Sequence, residues 1–349
     1  MNYIVFDLEW NQCPTGKPDE NEKLPFEIIE IGAVKLNEEK KYLDSFRALV
    51  KPKIYRRLHF QTQKVIGLTM EDLNRDGIPF EQAAEKFLDW CGEEPRFCTW
   101  GTLDLMELQR NLAFYGMIDR LKGPIFYEDV QKLFAICYET RRDRRALSYA
   151  VEYLHLPEDG AFHFAKEDAA YTARVLQTIP DDIIRENYSI DCWQNPKSRG
   201  EEIHIHYATY DKYISREFDT KEELMADPDV SSVRCFICHR NVRRVIRWFA
   251  DGGKNHLAVG CCPKHGFVKC KVRVKESADG HFYAVKTTKM ISEEDMEKIR
   301  GKQIFHRIRR QRKAAEREEF AAHLKMPEGI GTYIANPDVP SENGRETYR

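Results

Sequence analysis

The sequence predicts an α/β protein in which a mixed sheet flanked by helices precedes a small β domain and a charged helix. Three observations support this prediction. Strand-like apolar segments open the chain and are followed by segments of helical periodicity up to about residue 180. Five of the ten cysteines fall within residues 235–270, among short strand-like segments. The net charge also changes from −8 over residues 1–190 to +6 over residues 191–349, so the 349 residues divide into two parts of different character.

The first part of the chain predicts a domain over residues 1–185 that begins with three strands. Residues 3–9 form a β-rich apolar run, and a turn-forming stretch follows at 11–18. Two further strand-like runs, at 27–36 and 42–50, would complete an antiparallel meander. A short strand is expected at 96–100. The spacing of apolar residues predicts helices over 80–90, 105–115, 130–138, 146–154 and 169–179.

The second part of the chain is less regular at its start. The Pro- and Gly-containing stretch 195–200 predicts that residues 186–232 form a connector. A small β domain is expected over 233–290, where the predicted strands are 241–250, 256–260, 267–275 and 282–288. Residues 291–325 are charged and prone to form a helix, and residues 326–349 are rich in Pro, Gly and Asn and predict a loose tail.

The composition excludes two broad classes of protein. Hydrophobic residues make up 42% of the chain, which is too many for a disordered protein. No apolar run approaches the length of about 18 residues that a membrane span requires, so no membrane partner is expected. The residues after Met1 lack the basic region and the cleavage site of an export signal. We therefore expect Met1 to begin the mature protein, a cytoplasmic location, and cysteines that are reduced or bind metal.

Acidic residues recur at three places where predicted elements begin or end. Asp7 and Glu9 lie two apart on the first strand, so their side chains leave the same face. Asp104 stands at the start of a helix. Asp168 lies on the first turn of the helix predicted at 169–179, five residues after His163 in a loop. Each of these acids alone has an ordinary explanation, as a strand-end charge or a charge that complements a helix dipole. Their combination, in this order, indicates a functional site.

The combination resembles the DEDDh family of 3′-to-5′ exonucleases, the superfamily of polymerase proofreading exonucleases and RNase T, which have an RNase H-like fold. The residues that match its three motifs are, in order, Asp7 and Glu9, then Asp104, then His163 and Asp168. Residues 99–105 are similar to the branch that includes histone-mRNA 3′-end exonucleases, and residues 27–33 to the family's second strand. The resemblance covers about residues 1–180. It implies hydrolysis of phosphodiester bonds from the 3′ end, with release of nucleoside 5′-monophosphates.

The chemistry of these residues fits such a reaction. Four carboxylates without a thiolate form a hard oxygen site suited to two Mg²⁺ or Mn²⁺ ions, which stabilise the attacking and leaving oxygens of a phosphodiester displacement. His163 can accept a proton from the attacking water near neutral pH, which is the role of a general base. By resemblance, Asp7 would bridge both ions and Asp104 would hold one mainly through water. Glu9 and Asp168 would complete the other.

A second group of potential ligands lies in the cysteine-rich segment. Cys235 and Cys238 form a CxxC pair, and Cys262 and His265 form a CxxH pair after 23 intervening residues. Two such knuckles separated by a hairpin-length segment resemble a zinc ribbon, and predict one structural Zn²⁺ with Cys₃His ligation. Buried core cysteines are the alternative explanation. Residues that remain open as substitute ligands are Cys261, Cys270, His239 and His256.

The same segment is strongly basic. Residues 234–289 carry thirteen basic and three acidic side chains. A charged surface that only keeps a protein in solution does not require such an excess of one sign. Basic surfaces with interleaved aromatic residues hold single-stranded nucleic acid without sequence preference. Trp10 stands where many members of the family have a small or polar residue. The predicted nucleic-acid contacts are Trp10, Arg243, Arg244, Arg247, Lys269, Lys271 and Arg273.

These observations together predict a metal-dependent 3′-to-5′ exonuclease that acts on single-stranded nucleic acid. RNA is favoured over DNA only because residues 99–105 are similar to the exoribonuclease branch. The alternative is a catalytically inactive nucleic-acid-binding or scaffold protein that uses the zinc ribbon for recognition. The complete set of five motif residues favours the enzyme, because an inactive protein has no need to keep all of them.

Overall fold

The computed structural model describes residues 1–139, 143–158 and 160–324. Contacts between residues divide the chain into one unit from Met1 to Glu293 and a second from Glu294 onwards. Two six-stranded sheets and the helices around them build the first unit. The predicted tail at 326–349 lies outside the described residues. No helix in the described ranges is long and apolar enough to cross a membrane.

The first sheet is mixed and has the strand order β3-β2-β1-β4-β5-β6. Its strands are β1 (Asn2–Gln12), β2 (Phe26–Leu36), β3 (Tyr42–Leu49), β4 (Pro95–Thr99), β5 (Ile125–Asp129) and β6 (Ser189–Asp191). β1 pairs with β2 in antiparallel and with β4 in parallel orientation, while β6 returns antiparallel to β5. The meander of the first three strands and the mixed sheet were both predicted, and the predicted α/β class is confirmed.

Helices cover both faces of this sheet. They are α1 (Phe60–Val65), α2 (Met70–Asp76), α3 (Phe80–Cys91), α4 (Leu103–Phe114), α5 (Val130–Tyr138), α6 (Leu147–Tyr153), α7 (Ala165–Thr178) and α8 (Asp181–Glu186). Ile4 and Phe6 of β1 pack into the core shared with α3 and α4, whereas Tyr3 and Val5 pack into the core shared with α5, α6 and α7. Alternation along β1 therefore puts Asp7 on the side of α7.

Residues 186–232, predicted as a connector, contain short strands of both sheets and two short α-helices. They include β6 of the first sheet and four further elements: β7 (Ile203–His206), β8 (Asp211–Ile214), α9 (Lys221–Ala226) and α10 (Pro228–Ser231). β7 and β8 have only four residues each, which is too short for a period-2 pattern to be read from the sequence. Pairing with a strand far along the chain, with Ile214 opposite Val285, makes them part of the sheet.

The second sheet is entirely antiparallel, in the order β7-β8-β12-β11-β10-β9. Its longer strands are β9 (Arg243–Ala250), β10 (Asn255–Cys262), β11 (Gly266–Glu276) and β12 (Phe282–Ile291). The sheet adjoins the end of the first one, where the Tyr283 hydroxyl donates to the Cys192 carbonyl at 2.7 Å and Ile190 shares a core with Tyr283. The sheet thus also includes β7 and β8, which precede the β domain predicted at 233–290. The charged helix predicted at 291–325 is α11 (Glu293–Leu324).

Candidate active site

Three carboxylates that are far apart in the sequence lie together beside the central strand of the first sheet. One ligand oxygen from each of Asp7, Glu9 and Asp168 lies within 4.8 Å of the other two. Asp7 and Glu9 extend from the same face of β1, and Asp168 stands in the first turn of α7. The helix begins at Ala165, four residues before the predicted start. Asp168 therefore lies in the first turn of this helix, which fixes the direction of its side chain.

A close contact between α7 and β2 brings the third carboxylate to the strand. Gly32 of β2 is the register partner of Asp7. A Cβ atom at Gly32 would lie 2.1 Å from the carbonyl carbon of Ala165 and 2.1 Å from the amide nitrogen of Lys166. The first turn of α7 therefore packs directly against the backbone of Gly32, beside Asp7 on the neighbouring strand. Glycine is required at this position because any side chain would push the helix away from the sheet.

A Gly32→Ala variant is expected to lose at least about tenfold in hydrolysis and roughly 1–3 kcal/mol of stability, because the added methyl group collides with helix backbone that cannot move aside cheaply. The rate of shortening of a 3′-labelled oligonucleotide and the free energy of unfolding in urea measure the two effects. Gly200→Ala is the matched control, since nothing lies within 4 Å of its added Cβ. A Gly32→Ala protein with normal rate and stability would contradict this account of α7.

Asp104 stands next to this group but is held differently. It lies in the first turn of α4, is 6% exposed, and accepts a 3.2 Å hydrogen bond from the backbone N–H of Leu8. Its carboxylate is thus fixed against the strand between Asp7 and Glu9, outside the group of three. The neighbouring acid one turn further on, Glu107, already has a cationic partner, since Arg110 lies 2.9 Å from it.

His163 lies at the exposed rim of the same group. Its backbone N–H donates to Asp168 Oδ2 at 3.2 Å, and its φ of 71° is in the left-handed region. The other oxygen of that carboxylate, Oδ1, is buried and has no hydrogen-bond partner among the described residues. A buried oxygen without a donor is expected to be satisfied by a ligand such as a cation. The residue set thus fits a bound divalent metal.

Electrostatic repulsion inside the group leads to the same conclusion. Burial and the neighbouring carboxylates, with Asp104 the strongest of them, raise the pKa of Asp7 well above its ordinary value. Burial, with repulsion from Asp168, raises the pKa of Glu9 to about 8. Burial also raises the pKa of Asp104 to about 7 and that of Asp168 to about 6. The carboxylates repel one another when all of them are ionised. A cation bound between them would offset this repulsion.

Glu30 supports the site and was not identified from the sequence. It is fully buried on β2 opposite Glu9, and it pairs with Arg47 of β3 at 2.6 Å. Its other oxygen accepts a hydrogen bond from the N–H of Ala165, the first residue of α7, at 3.4 Å. The Glu30 carboxylate therefore accepts a hydrogen bond from one of the N–H groups at the start of the helix that carries Asp168, and such groups have no partner within the helix. The signal in the sequence was a charged residue between the apolar residues Ile29 and Ile31 of a predicted strand.

Asn11, which the sequence placed in a turn, holds a neighbouring loop against the end of β1. β1 continues to Gln12, and Asn11 is fully buried. Its side chain accepts from the N–H of His59 at 2.9 Å and donates to the carbonyl of Arg57 at 2.9 Å, so the segment before α1 is held against β1. Trp10 is half-buried, with its ring 5.7 Å from that of Phe26. Its predicted contact with nucleic acid stays a prediction.

The second candidate site lies in the second sheet. Ligand atoms of Cys235, Cys238, Cys262 and His265 all lie within 4.8 Å of one another. His265 Nδ1 is 3.4 Å from the sulfur of Cys235 and 3.6 Å from that of Cys262, and the sulfurs of Cys238 and Cys262 are 3.8 Å apart. Backbone N–H groups of Lys264 and then His265 lower the pKa of the Cys262 thiol to about 6. A thiolate is thus favoured where a metal would need one.

The potential substitute ligands lie outside this group. The sulfur of Cys270 is buried, 3.3 Å from the Thr288 hydroxyl, and the sulfur of Cys261 contacts the Cys262 carbonyl at 4.0 Å. Neither of these cysteines, nor His239 or His256, belongs to the cluster of ligand atoms. The Cys/His group that could hold zinc is therefore the one formed by the two knuckles.

The basic side chains that were predicted to contact nucleic acid lie on two strands of the second sheet. β9 and β11 carry three of them each, and both strands pair with β10. They are Arg243, Arg244 and Arg247 on β9, and Lys269, Lys271 and Arg273 on β11.

The first part of the chain is similar to known proteins. A family model described as an exonuclease of the RNase T type matches residues 4–176. No curated protein matches the chain. Among solved structures, the chain is similar to the nuclease domain of 3′hExo, a DEDDh family member bound to rAMP, with 23% identity, 54% of this chain and 96% of that chain covered, and a TM-score of 0.45.

Two further structures are similar over about half of this chain. One is a 3′-exonuclease described in 3′-end specific recognition of a histone mRNA stem-loop, with 20% identity, 56% of this chain and 92% of that chain covered, and a TM-score of 0.44. The other is Pop2p of S. pombe in a Mg²⁺- and Mn²⁺-bound form, with 17% identity, 50% of this chain and 81% of that chain covered, and a TM-score of 0.39.

The matched domain, with its mixed sheet and its carboxylates beside the central strand, is that of a nuclease with an RNase H-like fold. Residues 4–176 match the RNase T exonuclease family, so this part of the chain is an exonuclease domain, and it carries the five motif residues of the DEDDh type. It is therefore a hydrolase that acts on nucleic acid. The resemblance found in its five motif residues is confirmed at the level of the family.

Proposed function

We propose that the protein is a metal-dependent 3′-to-5′ exonuclease that shortens single-stranded nucleic acid, RNA in preference to DNA, and releases nucleoside 5′-monophosphates. The observation that carries this proposal is the grouping of Asp7, Glu9 and Asp168 within 4.8 Å, with His163 attached to the same group at its rim. The proposed preference for RNA rests on the similarity of residues 99–105 to the exoribonuclease branch of the family.

The carboxylate group would hold two Mg²⁺ or Mn²⁺ ions, since carboxylate oxygens are the ligands that these hard cations prefer. When bound, such ions supply charge stabilisation to the attacking and leaving oxygens of a phosphodiester. Asp7, Glu9 and Asp168 would be direct ligands. Asp104 would act through water, which agrees with its position against the backbone of Leu8. Glu30 would keep Asp168 in place.

His163 would act as the general base. Its side chain is exposed at the rim, where solvent water reaches the imidazole, and its backbone is attached to Asp168 by a 3.2 Å hydrogen bond. This bond limits the distance between the base and the carboxylates. An unprotonated imidazole nitrogen can take a proton from water and later release it to solvent, which is the role of a general base.

The Cys/His group would hold one structural Zn²⁺. Three sulfurs and one imidazole nitrogen match the usual ligand set of closed zinc sites, and four protein ligands leave no position for a substrate. The ion would join the segment at 235–238 to the end of β10. The second sheet would then present its basic side chains to the phosphates of the substrate.

The proposal is tested with matched RNA and DNA oligonucleotides labelled at either end. We expect stepwise shortening from the 3′ end, release of nucleoside 5′-monophosphates, dependence on added Mg²⁺ or Mn²⁺, and faster cleavage of RNA. Because a general base contributes about 10²–10⁴-fold, His163→Ala should slow cleavage by that factor without loss of stability, since the side chain is exposed. The exposed His204 of the second sheet, changed to alanine, is the control.

Each part of the proposal has an outcome that contradicts it. Release of the 5′ label first would overturn the direction, and equal rates on both polymers would overturn the RNA preference. Binding without shortening in the presence of Mg²⁺ would identify the protein as an inactive nucleic-acid-binding protein. Wild-type rates in His163→Ala would remove the histidine from the reaction.

A further inference from the structure

The long helix α11 separates its charges along its length. Residues 298–313 contain eight basic side chains, three lysines and five arginines, and no acidic one. We call residues 298–313 the basic segment. The acids of the helix lie before it, at 293–297, and after it, from Glu316 onwards. The basic residues are Lys298, Arg300, Lys302, Arg307, Arg309, Arg310, Arg312 and Lys313.

The run of like charge in the middle of this helix does not stabilise the helix. Like charges one turn apart, such as Lys298 with Lys302 and Arg309 with Lys313, destabilise a helix, whereas interspersed acids would stabilise it. The acids in the first turn are explained by the helix dipole. Ion pairs within the helix lie towards the two ends of the segment, with Lys298 2.8 Å from Glu294 and Arg312 2.9 Å from Glu316.

The basic segment also has a geometry suited to a linear polyanion. At about 1.5 Å per residue it extends roughly 22 Å along the helix axis. At about 100° per residue, several of its cations share one face of the helix, and the exposed ring of Phe305 lies among them. The cations on this face are Lys298, Lys302, Arg309, Arg312 and Lys313.

We propose that the basic segment is a nucleic-acid-binding surface that contacts the sugar-phosphate backbone without reading sequence. Its occupant is nucleic acid because residues 4–176 form an exonuclease domain and because a row of cations complements a row of phosphates. The inference rests on the proposed function in this respect, but it adds a surface outside both sheets. It would hold the substrate while the 3′ end is shortened.

The test is the salt dependence of binding by the full chain. The variant carries Arg309→Gln, Arg312→Gln and Lys313→Gln, because glutamine is a good helix former and all three side chains are exposed. Binding of a labelled single-stranded RNA, about 30 nucleotides long, is measured without Mg²⁺ between about 50 and 200 mM salt. For a single strand, each phosphate contact contributes about 0.7 to the slope of log K against log salt, so the loss of three cations should lower the magnitude of this slope by about 2. The affinity at the lowest salt concentration should fall by at least about tenfold.

The matched control removes three charges elsewhere, with Lys41→Gln, Lys86→Gln and Lys122→Gln on the exposed surface of the first domain. A control that loses as much slope as the test variant would overturn the proposal, since bulk charge would then explain the effect. An unchanged slope in the test variant, with equal helix content by circular dichroism, would also overturn it.

Two further measurements separate this proposal from its alternatives. Binding of the wild type to anionic phospholipid vesicles, abolished in the variant while RNA binding is unchanged, would overturn nucleic acid as the occupant. Cleavage of a short 3′-labelled oligonucleotide by the wild type tests the proposed function separately. If that cleavage is absent while the slope changes as expected, the proposed function fails and the binding surface stands.

Discussion

An Asp7→Asn variant is expected to lose at least about 10³-fold in hydrolysis from the 3′ end, and to be more stable than the wild type when Mg²⁺ and Mn²⁺ are absent. Burial first, and then repulsion from four neighbouring carboxylates, raises the pKa of Asp7 well above its ordinary value. A bound metal supplies several kcal/mol of charge stabilisation in such reactions, and each 1.4 kcal/mol or so is tenfold in rate. Loss of the proposed bridging ligand should therefore be severe.

The stability effect follows from the raised pKa values. An acid whose folded-state pKa is above its unfolded value costs nothing below the unfolded pKa, near pH 4, and destabilises the fold progressively as pH rises through the folded pKa. With pKa values of about 6 for Asp168, 7 for Asp104 and 8 for Glu9, the metal-free wild type should lose stability between about pH 4 and pH 8. The amide that replaces the Asp7 carboxylate carries no charge, so this loss is smaller in the variant.

The measurement is the melting temperature in buffers from about pH 5.5 to 8, with and without Mg²⁺. Without Mg²⁺ the variant should melt above the wild type, with a difference that grows with pH. Added Mg²⁺ should raise the melting temperature of the wild type and leave the variant unchanged. Asp119→Asn, an exposed substitution of the same kind, is the control. A variant that is less stable than the wild type at the highest pH, or that still responds fully to Mg²⁺, would contradict the assignment of Asp7.

Cys262→Ser is expected to abolish zinc binding and to unfold much of the second sheet. Metal-binding free energy in a structural site is folding free energy, with apparent values of about 10–16 kcal/mol in zinc-finger peptides. This is as large as the total stability of a typical domain, about 5–15 kcal/mol. Cys262 lies at the centre of the group, with contacts to both Cys238 and His265.

Zinc content by atomic absorption and melting by circular dichroism test this prediction. Wild type and Cys261→Ser should each hold one zinc per chain, because the sulfur of Cys261 is outside the group. Cys262→Ser should hold none and should melt at a lower temperature. A wild-type protein without zinc would show that the cysteines are ordinary core residues, and normal zinc content and stability in Cys262→Ser would show that Cys262 is not a ligand.

The pattern of apolar residues predicted those elements that are long and regular. The strands at 3–9, 27–36 and 42–50, and the helix at 130–138, agree closely with β1, β2, β3 and α5 because each has enough residues to show its period. Strands β6, β7 and β8 were missed because they have three or four residues, and their extended form depends on pairing with strands elsewhere in the chain.

The sequence by itself determined the identity of the chemical groups: the five motif residues, the two cysteine knuckles and the separation of basic from acidic segments. Only the tertiary structure decided how these groups meet. Gly32 lets α7 touch β2, Glu30 receives the first amide of that helix, and Asn11 holds the segment before α1. Such contacts join residues that are far apart in the chain, and their distances are set by packing, which local periodicity does not encode.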